Sequence, residues 1–123
     1  LPYGDVSRYV NADYLADVAR LNLATIMNLA NAPRPPADVR IVTAALGNQT
    51  VVRWSPSPEP DVIGYEIVFR PTTDAQWGEQ VFDADRKTEF TLKTSKDDFF
   101  FGVRAVDRHG YRSPPTFATA AKE

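Results

Sequence analysis

Thr50–Arg70 reads TVVRWSPSPEPDVIGYEIVFR, two apolar runs around a proline-rich centre. Side chains alternate between faces along a strand. Val52 and Trp54 therefore share one face of the first run, with Val51 and Arg53 on the other. In the second run Ile63, Tyr65, Ile67 and Phe69 share a face, and Glu66, Val68 and Arg70 lie opposite. The two apolar sets meet only if the chain reverses between them. Ser55-Pro-Ser-Pro-Glu-Pro-Asp61 supplies the reversal, because proline fixes φ and donates nothing to a ladder. The stretch is expected to form a hairpin anchored by Trp54 and Tyr65. Gly64, inside the second run, marks a bulge or a close approach of backbone.

Further strands flank this pair. Val39, Ile41 and Thr43 alternate inward ahead of a turn at Gly47-Asn48. Beyond a loop at Pro71–Ala75, a strand is expected over Gln76–Phe82, with Trp77, Val81 and Phe82 as its apolar content. Asp83–Arg86 turns the chain, and Lys87–Leu92 follows with Phe90 and Leu92 inward. Phe99, Phe101, Val103 and Ala105 then line one face of a strand, and Phe100, Gly102, Arg104 and Val106 the other. Arg108-His109-Gly110 is a turn, its glycine free to take positive φ. Ser113-Pro-Pro115 leads into a last strand over Thr116–Ala121. Short strands at regular spacing with turn signals between them make a β-sandwich.

Upstream the period changes. Asn11 is a good N-cap, Asp13 suits the positive end of a helix dipole, and no Gly or Pro interrupts Ala12–Asn31. A helix is expected there, stopped by Pro33 and the Pro35-Pro36 pair. Leu15, Val18, Leu21, Thr25 and Leu29 form one stripe, Leu23, Met27 and Ala30 a second, and Ala19 and Ile26 fill between. A helix lying on one domain needs a single stripe. Either this one docks on the sandwich with spare exposure, or a second surface outside the chain covers Leu15, Val18, Leu23, Ile26 and Met27. The expected division is a helical segment with linker at 1–34 and a sandwich domain at 35–123.

Composition excludes several functions. The chain has 123 residues, 43% of them hydrophobic, with net charge −2 and no cysteine. That suits a packed domain, and it lacks the basic stripe of a nucleic-acid binder. There is no disulfide framework, no thiolate metal site and no apolar run of membrane-spanning length. The N-terminus lacks the basic region of a signal peptide and starts at Leu1, so a fragment or processed product of a longer chain is expected.

Candidate chemistry is sparse. His109, the one histidine, reads as a solvated turn residue with only carboxylates for company. Asp83/Asp85 and Asp97/Asp98 lack the ligand series that calcium needs. No phosphate loop, nucleophile elbow or His-Glu-x-x-His motif occurs. Trp77 and Tyr111, each beside glycine and charge, are the candidate interaction residues: an aromatic so placed stacks on a sugar, anchors a protein partner, or packs over the sandwich rim.

Residues Pro35 to Ala121 resemble a fibronectin type III domain. The carrying residues are Pro35-Pro36, Val39 and Ile41, Trp54 with Ser55-Pro56, Ile63 with Tyr65, and Phe99-x-Phe101-x-Val103-x-Ala105 followed by Gly110. The resemblance implies a mainly β, seven-stranded immunoglobulin-like sandwich preceded by one N-terminal α-helix. Phe99 stands where that family usually carries a tyrosine, with Leu92 upstream. Phenylalanine keeps the packing and loses a hydrogen bond worth ~1 kcal/mol. Such domains are binding modules or spacers, so the fold alone assigns no function.

Residues Asp5 to Pro33 carry a second resemblance. Asp5-Val-Ser-Arg-Tyr-Val10, Tyr14-Leu15-x-x-Val18-x-Arg20-Leu21-Asn22-x-Ala24 and Leu29-Ala30-x-Ala32-Pro33 look like the C-terminal helix of bacterial di-zinc aminopeptidases. Some members of that family continue through a proline-rich link into a sandwich domain. The resemblance implies an exported enzyme, extracellular or periplasmic, whose zinc site lies upstream of this chain. No catalytic or metal-binding residue carries over. The expected function is a non-catalytic C-terminal accessory domain of a zinc-dependent exopeptidase, its helix docked on its own upstream peptidase domain. The alternatives are a free-standing binding module for a glycan or protein ligand, using Trp77 and Tyr111, and a spacer. The two-sided helix also leads us to expect self-association of the isolated chain. No nucleic-acid partner, membrane insertion or cofactor is expected for the chain itself.

Overall fold

A computed structural model describes residues 6–42 and 47–121. The chain forms two compact units, divided between Asn31 and Ala32.

The first unit holds a 3-10 turn at Ser7–Tyr9 and the helix α1, Ala12–Asn31. Asn11 caps the helix as its residue type demands, its Oδ1 accepting the Tyr14 amide at 3.0 Å. At the other end Asn31 Nδ2 donates to the Met27 carbonyl at 2.9 Å and occupies one of the free acceptors of the last turn. No side chain of α1 is buried. No helix among the described residues is long and apolar enough to cross a membrane.

The second unit is a two-sheet sandwich. Its strands are β1 (Ala37–Val42), β2 (Thr50–Ser55), β3 (Val62–Pro71), β4 (Val81–Asp83), β5 (Glu89–Leu92), β6 (Phe99–Asp107), β7 (Thr116–Phe117) and β8 (Thr119–Ala120). One sheet has the order β5-β2-β1-β8 and the other β4-β3-β6-β7. The core between them is built from Val39, Val52, Trp54, Tyr65, Ile67, Leu92, Phe101, Val103 and Ala105, the inward positions that alternation selects.

The decisive stretch is not a hairpin. β2 pairs with β1 and β5, whereas β3 pairs with β4 and β6. The proline-rich segment carries the chain from one sheet to the other instead of turning it back within a sheet. The two apolar faces still meet, across the sandwich: the Trp54 and Tyr65 rings stand 5.6 Å apart at 62°. The Tyr65 hydroxyl accepts the Ser57 amide at 2.5 Å and fastens the crossing segment.

Ile63 departs from its expected place on the inner face. The β3–β6 register slips between Val62 and Gly64, and Ile63 is 45% exposed. This bulge inserts one residue and turns it outward. Gly64 serves both roles foreseen for it, since a Cβ there would come within 3.1 Å of the Asp85 carbonyl oxygen. Val68, on the outward set, is nonetheless buried. Thr43 lies outside the described residues.

Two strand expectations change. The fourth strand begins at Val81, not Gln76; residues 76–80 form a loop whose Gly78 amide donates to the Phe69 carbonyl at 3.1 Å. The last expected strand is two short ones, which makes eight strands in place of seven. The break falls at Ala118, whose amide donates to the Phe101 carbonyl at 2.8 Å. β7 extends the β6 edge, and β8 crosses to run parallel to β1. Gly110 has the positive φ, 83°, expected of its turn.

Candidate functional site: an arginine among aromatic rings

The outward face of the β3–β6 sheet is ordered by cross-strand register. Glu66 lies opposite Arg104, Val68 opposite Gly102, and Arg70 opposite Phe100; Gly102 also faces Phe117 on β7. Cross-strand partners share a face, so these residues form one surface. Its two halves differ in chemistry.

The first half is charge-paired. Arg104 Nε donates to Glu66 Oε2 at 2.6 Å, and Arg112 donates to both Glu66 oxygens at 3.0–3.1 Å. Burial pushes the Glu66 carboxyl up, but the hydrogen bonds from Arg112 and Arg104, with their charges, hold it below the ordinary value. Arg112 is correspondingly raised by the hydrogen bond and charge of Glu66. A cleft beside this group is lined by Ile63, Gly64, Asp83, Asp85 and Val106.

The second half is aromatic. Trp77 reaches from the 76–80 loop over the sheet and fills the space that Gly102 leaves open, its Cη2 lying 3.0 Å from where a Cβ would stand. The Trp77 and Phe117 rings are 4.8 Å apart, and Phe100 meets Phe117 at 6.3 Å, edge to face. The Arg70 guanidinium lies 4.8 Å from the Phe100 ring centre, 5.5 Å from Trp77 and 5.8 Å from Phe117. Each contact draws the cation to the negative ring face. One Arg70 nitrogen also donates to the Asp74 carbonyl, which fixes the head group over the rings. Phe100 and Phe117 remain 42% and 48% exposed.

Of the two interaction residues singled out by sequence, only Trp77 belongs to this group. It is half-buried and touches Arg70 and Phe117. Tyr111 sits at the other end of β6, where its amide donates to Asp107 Oδ1 at 2.9 Å and its carbonyl accepts the Asp107 amide at 3.0 Å. Asp107 is buried and organises that turn. The structure does not bring Trp77 and Tyr111 together. Arg70, Phe100 and Phe117 were missed. Arg70 and Phe100 both fall on outward sets, a signal that the strand register turns into adjacency.

His109 is exposed, and among the described residues no three His, Cys, Asp or Glu side chains gather to hold a metal. On the helix, Leu15, Leu23, Ile26 and Met27 are exposed and Val18 is half-buried.

This architecture is that of a fibronectin type III-like sandwich. A fibronectin type III-like protein from Clostridium thermocellum superposes with TM-score 0.59 at 17% identity, over 76% of this chain and 98% of that one. The fibronectin type III domain of human collagen α-1(XX) gives 0.56 at 18%, over 76% and 90%.

No family model matches the chain. Relatives named probable zinc metalloprotease do match it. The protein from Pyrenophora tritici-repentis is 38% identical over 115 residues, 94% of this chain and 24% of the relative. That from Pyricularia oryzae is 40% identical over 116 residues, 92% and 23%. That from Leptosphaeria maculans is 39% identical over 115 residues, 94% and 26%. The chain thus spans about a quarter of the length of these curated relatives. All three are fungal, whereas the helix resembled bacterial enzymes.

Proposed function

We propose that the chain is a non-catalytic C-terminal accessory domain of an exported zinc-dependent exopeptidase of aminopeptidase type. One observation carries this reading: the match to zinc metalloproteases spans 94% of the chain, through helix and sandwich together, yet 24% of the relative's length. A helix and sandwich retained as one segment of a larger protease are an appendage to its catalytic part. The exopeptidase class and the export rest on the resemblance of Asp5–Pro33.

Zinc does not fit the described residues. Catalytic zinc takes three protein ligands plus water, and no such group assembles here. In this reading the metal and the base that works with it belong to another part of the protein. In this reading the exposed apolar residues of α1 are the contact with the peptidase body.

The test is the intact mass of the native protein in its source cells, with peptides mapped upstream of Leu1. We expect a much longer chain with His, Asp and Glu zinc ligands before Asp5. A native chain beginning near Leu1 overturns the reading and leaves a free-standing binding module, which the aromatic surface around Arg70 favours. The 123-residue chain supplied with zinc is expected to cleave no aminoacyl or peptide substrate.

A further inference from the structure

We infer that the outward face of the β3–β6–β7 sheet is a protein-docking surface. It would take an acidic peptide segment, with one carboxylate on Arg70 and an adjoining apolar side chain across Phe100 and Phe117. The inference stands on the sandwich alone and holds for an accessory domain and a free module alike.

Arg70 is the centre of the case. Its guanidinium is held by three rings and one backbone carbonyl, and it forms no ion pair among the described residues. Arg104 and Arg112, on the same face, are both taken up by Glu66. A guanidinium carries five donors, and among the described residues one Arg70 nitrogen donates, to the Asp74 carbonyl, so donors remain for a ligand. The rings also displace water from one side of it, which strengthens its hold on an anion.

Charge and shape narrow the occupant. One guanidinium matches one carboxylate; a phosphate brings about two charges and calls for more cations. Beside Arg70, Phe100 and Phe117 are exposed aromatic surface on the same sheet face, suited to an apolar side chain next to that carboxylate. Aromatic residues clustered around an arginine are the composition of interface hot spots. A glycan needs open ring faces with several polar groups aimed at its hydroxyls. Here Trp77 spends its ring on Gly102, Phe117 and Arg70.

The experiment is an NMR titration of the chain with a capped peptide of alternating glutamate and leucine. Its counterpart with glutamine for every glutamate and a cello-oligosaccharide serve as the other two probes. We expect the acidic peptide to shift the Arg70, Phe100 and Phe117 amides and the Trp77 indole N–H. Affinity should fall about tenfold for the glutamine peptide and about tenfold for Arg70→Gln, and should be unchanged for Arg108→Gln in the distant turn. Phe117→Ser, at an exposed position on a two-residue strand, gives a second variant with the same expected loss. The inference is overturned if the acidic peptide leaves these signals unmoved, if both peptides bind Arg70→Gln and the parent chain alike, or if only the oligosaccharide shifts them.

Discussion

Trp77 lies over Gly102, with its Cη2 3.0 Å from the position a Cβ would take. The glycine is what lets a loop residue come this close to a strand while it reaches both Arg70 and Phe117. Gly102→Ala is therefore expected to lift Trp77 off the sheet while the inner core stays intact. Pro115 Cβ and the Thr116 carbonyl, each 3.3 Å from the same point, add to the crowding. We expect a cost of about 1–3 kcal/mol, with a red shift of the Trp77 emission. Trp54, buried in the core between the two sheets, is the internal reference. Unchanged emission would show that the loop does not depend on this gap.

Trp54 and Tyr65 hold the two sheets together, but their polar atoms are in opposite situations. Trp54 Nε1 is buried without a hydrogen-bond partner, whereas the Tyr65 hydroxyl takes the Ser57 amide. Trp54→Phe loses ring area yet removes an unsatisfied donor, so it should cost clearly less than Trp54→Ala, for which about 3–5 kcal/mol is expected. Tyr65→Phe keeps the ring and strips the crossing segment of its anchor, at about 1–2 kcal/mol. Denaturant melts of the three variants check the order.

Glu66 gives a pH dependence of definite sign. Its carboxyl is brought below the usual 4.5 in the folded chain. Over the interval between the two values the unfolded chain binds the proton more readily, so stability rises with pH. The contribution is complete above the unfolded value and is lost as pH falls through the folded one. Glu66→Gln should cost about 1–3 kcal/mol at neutral pH, near the lower end because Arg112 is half-exposed, and should shrink that loss toward zero in acid. Urea melts from pH 7 to pH 3 measure it; a loss independent of pH would assign the effect to packing.

Much of the sandwich was legible because alternation is a strict period. Val52, Trp54, Tyr65, Ile67, Phe101, Val103 and Ala105 all fell inward as their spacing required. What alternation does not contain is pairing. It could not tell a hairpin at Thr50–Arg70 from a crossing between sheets, because both bring Trp54 to Tyr65. It also breaks where a residue is inserted, which is how Ile63 came to point outward. The aromatic surface was half legible. Trp77 is conspicuous beside Gly78, but its neighbours come from β3, β6 and β7, and only the register places Arg70 against Phe100 and Gly102 against Phe117. Tyr111 looked equivalent in sequence, yet its anchor at Asp107 lies five residue steps along β6 from Gly102, about 16 Å along a strand.

The helix gives the last prediction. Leu23, Ile26 and Met27 are each more than half exposed, on a helix with no buried side chain. Burying one such side chain is worth about 1.5–3 kcal/mol, so several on one helix favour association. The isolated chain is therefore expected to self-associate in sedimentation equilibrium as its concentration rises. Leu23→Glu with Ile26→Glu should abolish this without altering the sandwich, because both lie in the unit that ends at Asn31. In a longer native protein the same pair of substitutions should lower the melting temperature, since the peptidase body would then cover that face. A strictly monomeric mass for the isolated chain at all concentrations would show that these side chains do not drive association. An unchanged melting temperature in the longer protein would remove α1 from the proposed interdomain contact.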